Sequence, residues 1–182
     1  MNWKTLSSEY LSKHQYFTAR KDKCETSDGR IIPEYFVVEL PTSVCALGIT
    51  EDNKAILVKQ YRHPIEKVLL ELPGGFIDKD EDPKKAMARE LLEETGYEFN
   101  NMEEVGQTCA NPGVLNNYTR LYLATGGKKV AGQKLDSTEE IEIILMPIEE
   151  LIELVLNNKI EQSLHMTCIF YALKKMGKVR LS

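Results

Sequence analysis

Short apolar runs, bounded by residues that favour turns, occupy much of the chain. Residues 44–49 and 55–60 are two such runs, and the turn at Asp52 and Asn53 between them predicts a buried β-hairpin. Further runs of this kind predict strands at 105–109, 119–124 and 141–146. We expect these strands to form a mixed sheet.

Helices are predicted where capping residues flank longer segments. Asp82 is the predicted N-cap of a helix that has Pro83 in its first turn and stops at Gly96. Two further helices are predicted at 148–156, opened by Pro147, and at 163–175. Strands mixed with a few helices, in no regular alternation, predict an α+β fold in which an α/β/α sandwich surrounds the sheet.

The first 42 residues have a different pattern from the rest. An Asp-Gly turn at 27–29 lies between two extended segments and predicts a hairpin, whereas residues 6–11 are predicted to form a short helix. We therefore expect a small β-rich region over residues 1–42 and the main domain over residues 43–182.

Composition narrows the class of protein. With 182 residues, 42% of them hydrophobic and 28% charged, the chain is large enough to bury a full core. A net charge of -5 with no run of basic residues argues against binding to nucleic acid. The four cysteines are widely spaced, and neither a signal peptide nor a membrane-spanning segment is visible, so we expect a cytoplasmic protein with reduced thiols.

The predicted helix at 83–95 carries three carboxylates on one side. Glu90, Glu93 and Glu94 share a face because positions three and four apart are neighbours on a helix. A solvated helix face is the simpler interpretation of such a stripe, but there a Lys at position 94 would stabilise Glu90, and this chain has another Glu. Three oxygen ligands side by side suit a hard divalent cation, so the stripe predicts a Mg²⁺ site.

The residues around this stripe carry a family resemblance. Gly75, five residues, Glu81, seven residues and then Arg-Glu-Leu-Leu-Glu-Glu-Thr-Gly-Tyr at 89–97 resemble the Nudix box. Its fixed glycine, glutamate and arginine positions are all present, and the one departure is Tyr97, where an aliphatic residue is usual. The resemblance implies metal-dependent hydrolysis of a nucleoside diphosphate linked to a further group, with Mn²⁺ as the alternative to Mg²⁺.

The same resemblance implies roles for individual residues. Glu90 and Glu94 are the expected direct metal ligands, Glu93 is either a ligand or a partner of metal-bound water, and the carbonyl of Gly74 is a further ligand. Arg89 points about one helical step away from the acidic face, so we expect it to hold Glu81 or the loop in place.

Residues outside the box resemble the ADP-ribose pyrophosphatase branch of this family. The segments Gln-Tyr-Arg-His-Pro at 60–64 and Leu-Glu-Leu-Pro-Gly-Gly at 70–75 carry the likeness, together with Pro112 fifteen residues past Tyr97. The branch often has Ala at position 74, and the loop at 110–117 departs from its commonest form. The likeness implies hydrolysis of ADP-ribose to AMP and ribose 5-phosphate, with Pro112 near the substrate.

Arg62 is a candidate contact for phosphate or ribose because a planar guanidinium suits phosphate oxygens. A surface salt bridge is the alternative. Two other functions stay open: hydrolysis of another nucleotide sugar such as GDP-mannose, of a dinucleotide or of a damaged nucleotide, and binding of a nucleotide sugar by a regulator without turnover.

The general base is expected outside the box helix, as the branch resemblance implies. Glu139 is the first candidate and Glu140 the second, on a loop that follows a glycine-rich stretch at 126–132 suited to a lid. A solvated loop is the alternative for both residues. Glu142 alternates with isoleucines and is expected on the outward face of a strand.

The branch also implies a homodimer in which N-terminal strands contribute to the partner's nucleotide pocket. A hairpin of about 40 residues is too small to bury a core alone and must pack against something. Trp3, Tyr16 and Phe17 are candidate contacts to a second copy; the alternative is that they cover the sheet of their own chain.

Overall fold

A computed structural model describes residues 1–14 and 17–179, in two compact units. Unit 1 contains residues 1–41 and 109–118, and unit 2 contains residues 42–108 and the chain from 119 onward. Sequence analysis had assigned 109–118 to the main domain. These residues join unit 1 through the backbone, since Val38 N donates to Val114 O (2.8 Å) and Asn116 N donates to Val38 O (3.2 Å).

Unit 1 is built on an antiparallel sheet in the order β1-β2-β3, with β1 at Lys4–His14, β2 at Phe17–Glu25 and β3 at Ile31–Glu39. The hairpin predicted around Asp28 and Gly29 is confirmed, and Gly29 supplies the left-handed backbone (φ 84°) that its turn needs. The helix predicted at 6–11 is wrong. Those residues lie in β1, where pairing with β2 overrides the helix-like spacing of their apolar side chains.

Unit 2 contains the mixed sheet predicted from the sequence. Its strands are β4 (Ser43–Thr50), β5 (Lys54–Arg62), β6 (Lys67–Glu71), β7 (Gly74–Phe76), β8 (Tyr97–Thr108), β9 (Thr119–Lys129) and β10 (Ile141–Pro147). The main order is β10-β5-β4-β9-β8, with β6 paired to β5 and β7 paired to β4. Only the β4–β9 pair is parallel among the described strands.

Helices cover both faces of this sheet: α1 at Pro83–Thr95, α2 at Ile148–Leu156 and α3 at Ser163–Lys175. Strand β4 is buried on both sides, and its alternating side chains enter two separate cores. Val44 and Ala46 pack with α1, whereas Cys45 and Leu47 lie in the core that α2 and α3 cover. The predicted α+β sandwich is confirmed.

Two strands extend further than the sequence indicated. Strand β8 starts at Tyr97, directly after α1, and β9 continues through the glycine-rich stretch to Lys129. Gly127 permits this because a Cβ there would lie 2.6 Å from the ring of Phe99 on the paired strand. The stretch at 126–132 is therefore partly strand. The helices of the described residues include none with the length and apolar composition that a membrane crossing requires.

A buried histidine supports the segment that leads into β7. Leu72 N donates a hydrogen bond to Nδ1 of His165 in α3 (3.2 Å), which requires an uncharged imidazole. Burial and, in smaller part, the positive charge of Arg62 together lower the pKa of His165 from 6.5 to about 3. His165 therefore resists protonation in the folded protein, whereas it is protonated readily in the unfolded chain.

This difference predicts a pH-dependent stability. The unfolded chain binds a proton at His165 near pH 6.5 and the folded chain only near pH 3, so the free energy of unfolding falls as the pH drops between these values. His165→Asn keeps an acceptor for Leu72 N but has no titrating group. We expect this variant to be less stable at neutral pH. Its free energy of unfolding should fall less steeply as the pH drops, with a slope smaller by up to about 1.4 kcal/mol per pH unit. Denaturant unfolding across this range measures it.

The matched control is His63→Asn, since His63 is exposed. It should leave the pH dependence as in the unaltered protein. Equal slopes for His165→Asn and the unaltered chain would contradict the assignment of a neutral buried imidazole.

Candidate active site

Capping residues determine where α1 begins and ends. The Oδ1 atom of Asp82 accepts hydrogen bonds from Lys84 N and Lys85 N, and Pro83 occupies the first turn. Gly96 ends the helix in the left-handed conformation (φ 72°). All three predicted signals are confirmed, and the acidic stripe therefore lies on a short helix with defined ends.

Strand β7 brings a glycine pair against this stripe. Gly74 N donates to Glu94 Oε2 at 3.0 Å. A Cβ at Gly75 would lie 2.4 Å from Glu90 Oε1, and one at Gly74 would lie 2.2 Å from Val44 O. Only glycine allows the backbone to approach the two carboxylates this closely.

Burial makes the carboxylates electrostatically costly. Glu94 is 5% exposed, and its pKa is raised to about 8, chiefly by burial and in smaller part by the charges of Glu90 and Glu139, against the opposing effect of the hydrogen bond from Gly74 N. Burial also raises the pKa of Glu90, and the neighbouring Arg89 only partly opposes this rise. Glu93 is the most accessible of the three stripe residues. The stripe is thus not an ordinary solvated face, because the surroundings of Glu90 and Glu94 disfavour their charged forms.

Arg89 is the cation that holds this cluster together. Its guanidinium donates to both oxygens of Glu81 (3.0 and 2.9 Å), to Glu90 Oε1 (2.8 Å) and to Glu93 Oε2 (3.1 Å). It also reaches the carbonyl of Phe76 at 3.2 Å. The bond from Arg89 lowers the pKa of Glu81. The predicted structural role of Arg89 is borne out by these contacts, and they include two members of the stripe itself.

The donor chemistry fits a hard divalent cation. As the side chains stand, no three His, Cys, Asp or Glu residues within 1–14 and 17–179 converge tightly enough to hold a metal ion. The proposed ligands are nevertheless all oxygens, and Glu90 and Glu94 are buried with raised pKa values that a nearby cation would lower. The assignment of Gly74, Glu90, Glu93 and Glu94 as ligands remains a prediction.

Glu139 lies within electrostatic reach of the stripe. Its charge raises the pKa of both Glu90 and Glu94, whereas Glu140 is exposed. Its carboxylate is held by its own turn, accepting a hydrogen bond from Asp136 N at 2.9 Å. Glu139 is therefore the better candidate base of the two.

Glu142 lies on the solvent-facing side of β10, as predicted. Glu142 is exposed on β10 and faces Lys59 of β5, with 3.7 Å between the charged atoms. It lies on the outward face of its strand, as the alternation indicated.

Arg62 has a partner that the sequence did not reveal. Its Nε and Nη2 atoms donate to Glu71 Oε2 at 2.9 and 2.6 Å, and the Glu71 side chain is only 1% exposed. The predicted alternative of a salt bridge is thus present, although the partner of Arg62 is a buried carboxylate and not a surface one. The available signal was a carboxylate at a buried position of an otherwise apolar strand.

The pair borders a cavity of about 360 Å³. Its lining is Arg62, Pro64, Ile65, Leu69, Glu71, Glu161, Gln162 and Ser163. The Arg62 side chain is still 42% exposed, and its charge lowers the pKa of Glu94, so it acts on the acidic site while facing open space. Pro112 is exposed in a turn of unit 1, and its predicted substrate contact stays a prediction.

Comparisons with known proteins agree with this geometry. A family model described as NUDIX domain matches residues 39–166, and one described as nucleoside diphosphate sugar hydrolase N-terminal domain matches residues 3–38. A methanol dehydrogenase activator of Bacillus methanolicus is 32% identical over 92% of this chain and 91% of its own. An ADP-ribose pyrophosphatase of Bacillus subtilis is 28% identical over 84% and 85%.

A solved structure described as an ADP compounds hydrolase has the same fold. It aligns with a TM-score of 0.84 over 98% of both chains, at 22% sequence identity. At that identity the likeness bears on the fold alone.

The contacts of Arg89 predict a specific loss on replacement by lysine. A single ammonium cannot bridge Glu81, Glu90 and Glu93 as the guanidinium does, so one buried carboxylate loses its partner. We expect Arg89→Lys to lower the free energy of unfolding by about 1–3 kcal/mol in the presence of a chelator. Denaturant unfolding measures it.

Arg120→Lys provides the comparison. Arg120 also makes a two-bonded pair, with Glu104, but both side chains are about one-third exposed. The change there should stay below about 1 kcal/mol. Equal losses in the two variants would show that Arg89 is an ordinary surface cation.

Proposed function

This chain belongs to the Nudix family, and we propose that it hydrolyses the pyrophosphate of a nucleoside diphosphate sugar, with ADP-ribose as the preferred substrate. The products are AMP and ribose 5-phosphate. The observation that carries the proposal is the packing of a buried acidic stripe on α1 against the glycine pair of β7. The match of the N-terminal residues to a nucleoside diphosphate sugar hydrolase model supports the substrate class.

We assign the cation to Gly74, Glu90 and Glu94, with Glu93 as a further ligand or a partner of water. Mg²⁺, or Mn²⁺ in its place, would neutralise charge on the pyrophosphate and lower the pKa of the attacking water when bound. Arg89 keeps two of these carboxylates in position, since its guanidinium donates hydrogen bonds to Glu90 and Glu93.

Glu139 acts as the general base. The water oxygen forms the new bond to phosphorus, its proton passes to the Glu139 carboxylate, and the bridging oxygen leaves with the other phosphate. In the present arrangement the carboxylate bonds to Asp136 N, so the turn at 136–139 must release it first. Glu140 is the second choice because it is exposed, whereas the charge of Glu139 raises the pKa of Glu94.

Arg62 binds the substrate's phosphate or ribose. Its guanidinium is anchored on one side by the buried Glu71 and open on the other, which leaves donors free to meet an anion. The adjoining cavity of about 360 Å³ offers room for part of the substrate beside Ile65 and Leu69. Pro112 remains a proposed contact of the substrate.

A second copy of the chain is the partner we propose for unit 1. Several large apolar side chains of its sheet are exposed: Trp3, Leu6, Tyr10, Leu11, Phe17, Ile31 and Phe36. Trp3 packs edge-on against Tyr35 of its own sheet (6.0 Å between ring centroids), and because it is still 49% exposed we propose that it also contacts the second copy. Tyr16 lies outside the described residues. A homodimer would cover this surface, and we place the enzyme in the cytoplasm.

The second candidate function is the activation of a dehydrogenase. The relative that activates methanol dehydrogenase is similar over nearly the whole chain, which favours testing this protein as an activator of an alcohol dehydrogenase. An increase in dehydrogenase activity on addition of the protein would support that role.

A substrate panel tests the proposed function directly. ADP-ribose, GDP-mannose, NADH and diadenosine polyphosphates are each incubated with the protein and Mg²⁺ or Mn²⁺, and the released nucleotides are quantified. We expect ADP-ribose to give the highest kcat/KM and a chelator to abolish turnover, because the acidic stripe cannot bind an anionic substrate alone. Binding without turnover of any substrate would instead indicate a nucleotide-sugar regulator.

Glu94→Gln separates charge from hydrogen bonding at the proposed metal site. The Gln oxygen can still accept from Gly74 N, but the negative charge is lost. We expect kcat to fall by about 100-fold or more while the thermal midpoint is retained. Glu142→Gln, on the outward face of β10, should keep full activity. Near-normal turnover of Glu94→Gln at saturating Mg²⁺ would remove Glu94 from the site.

A further inference from the structure

One amide side chain joins the catalytic helix to the strand that follows the base loop. Nε2 of Gln133 donates to the carbonyl of Glu94 at 2.8 Å and to the carbonyl of Ile141 at 3.0 Å. Glu94 lies in the last turn of α1, and Ile141 is the first residue of β10. Both hydrogens of the amide are therefore engaged by backbone groups of two different elements.

The carbonyls in the last turn of α1 can accept hydrogen bonds from other segments because they have no partners within the helix. Gly96 N bonds to Leu92 O, and Lys134 N bonds to Glu93 O at 2.8 Å, while the carbonyl of Glu94 is left to Gln133. The chain between β9 and residue 134 is thus docked on the helix end. This finding narrows the predicted lid from the whole stretch after residue 126 to residues 135–140.

Those six residues carry Glu139 between two anchors. On one side lie Gln133 and Lys134, bonded to the helix, and on the other side lies Ile141, bonded to Gln133 and paired with β5. How closely the Glu139 carboxylate can approach the acidic stripe depends on where Lys134 and Ile141 hold the two ends of the loop. The Gln133 amide contacts both of them.

We infer that Gln133 is a positioning residue for the general base: its amide holds the ends of the Glu139 loop against α1, so that the carboxylate can reach the attacking water. The inference rests on the proposed function. The two hydrogen bonds from the Gln133 amide go to backbone carbonyls and not to the stripe side chains, so Gln133 acts through the loop. Its effect belongs to the chemical step rather than to binding of substrate.

The position is favourable for a substitution test because Gln133 is exposed. Gln133→Leu removes both donors at similar size, and Gln133→Lys keeps a donor that can reach carbonyls. Gln107→Leu, at an exposed glutamine of β8, controls for the loss of an amide elsewhere on the surface. Activity on ADP-ribose with Mg²⁺ and the thermal midpoint are measured for each variant.

We expect Gln133→Leu to lower kcat by about tenfold or more and to change KM by no more than about twofold. Gln133→Lys should recover most of kcat, and Gln107→Leu should match the unaltered enzyme. A role in stability alone would lower the thermal midpoint and leave kcat of the folded enzyme unchanged, and that result would overturn the inference.

A double-mutant cycle with Glu139→Gln completes the experiment. If Gln133 acts through Glu139, adding Gln133→Leu to Glu139→Gln causes no further loss of kcat. Independent, multiplicative losses would overturn the inference and leave the base assignment intact. Full activity of Glu139→Gln would remove the base assignment together with the inference, and absence of turnover in the unaltered protein would remove the proposed function itself.

Discussion

The burial of carboxylates beside one another is the constraint on which the rest of the site depends. Glu90 and Glu94 lie in surroundings that disfavour their charged forms, and Glu139 adds a further negative charge nearby. Arg89 provides partial neutralisation from the side. What remains is a pair of carboxylates beside a glycine backbone whose charged forms a bound cation would stabilise, and a cation there would in turn attract an anionic substrate.

The fold holds this repulsive arrangement in place by fixing the segment at 72–74 from three directions. Leu72 N bonds to His165 of α3, the carbonyl of Pro73 accepts from Ala46 N of β4, and Gly74 N bonds to Glu94 of α1. Both layers of the sandwich and the central strand therefore meet at one short piece of chain. A change in any of them would move the backbone that the carboxylates contact.

Neighbouring segments are constrained by similar pairings. Arg62 keeps one orientation because its partner Glu71 is buried, which leaves the exposed side of the guanidinium directed to the cavity. The loop that carries Glu139 is tied to the end of α1 at Gln133 and Lys134. Arg62, the acidic stripe and Glu139, to which we assign substrate contact, cation binding and base, thus lie on separate segments of unit 2.

The sequence by itself determined the elements that depend on local spacing and capping: the helix from Asp82 to Gly96, the stripe on its face, the hairpin of β4 and β5, and the family motif. It misjudged 6–11, where strand pairing outweighs helical spacing, and 126–129, which continue β9. Only the tertiary structure decided that Glu71, His165 and Gln133 support the site. Their partners lie 8 to 93 residues away along the chain, and the spacing of residues in a sequence carries no record of such contacts.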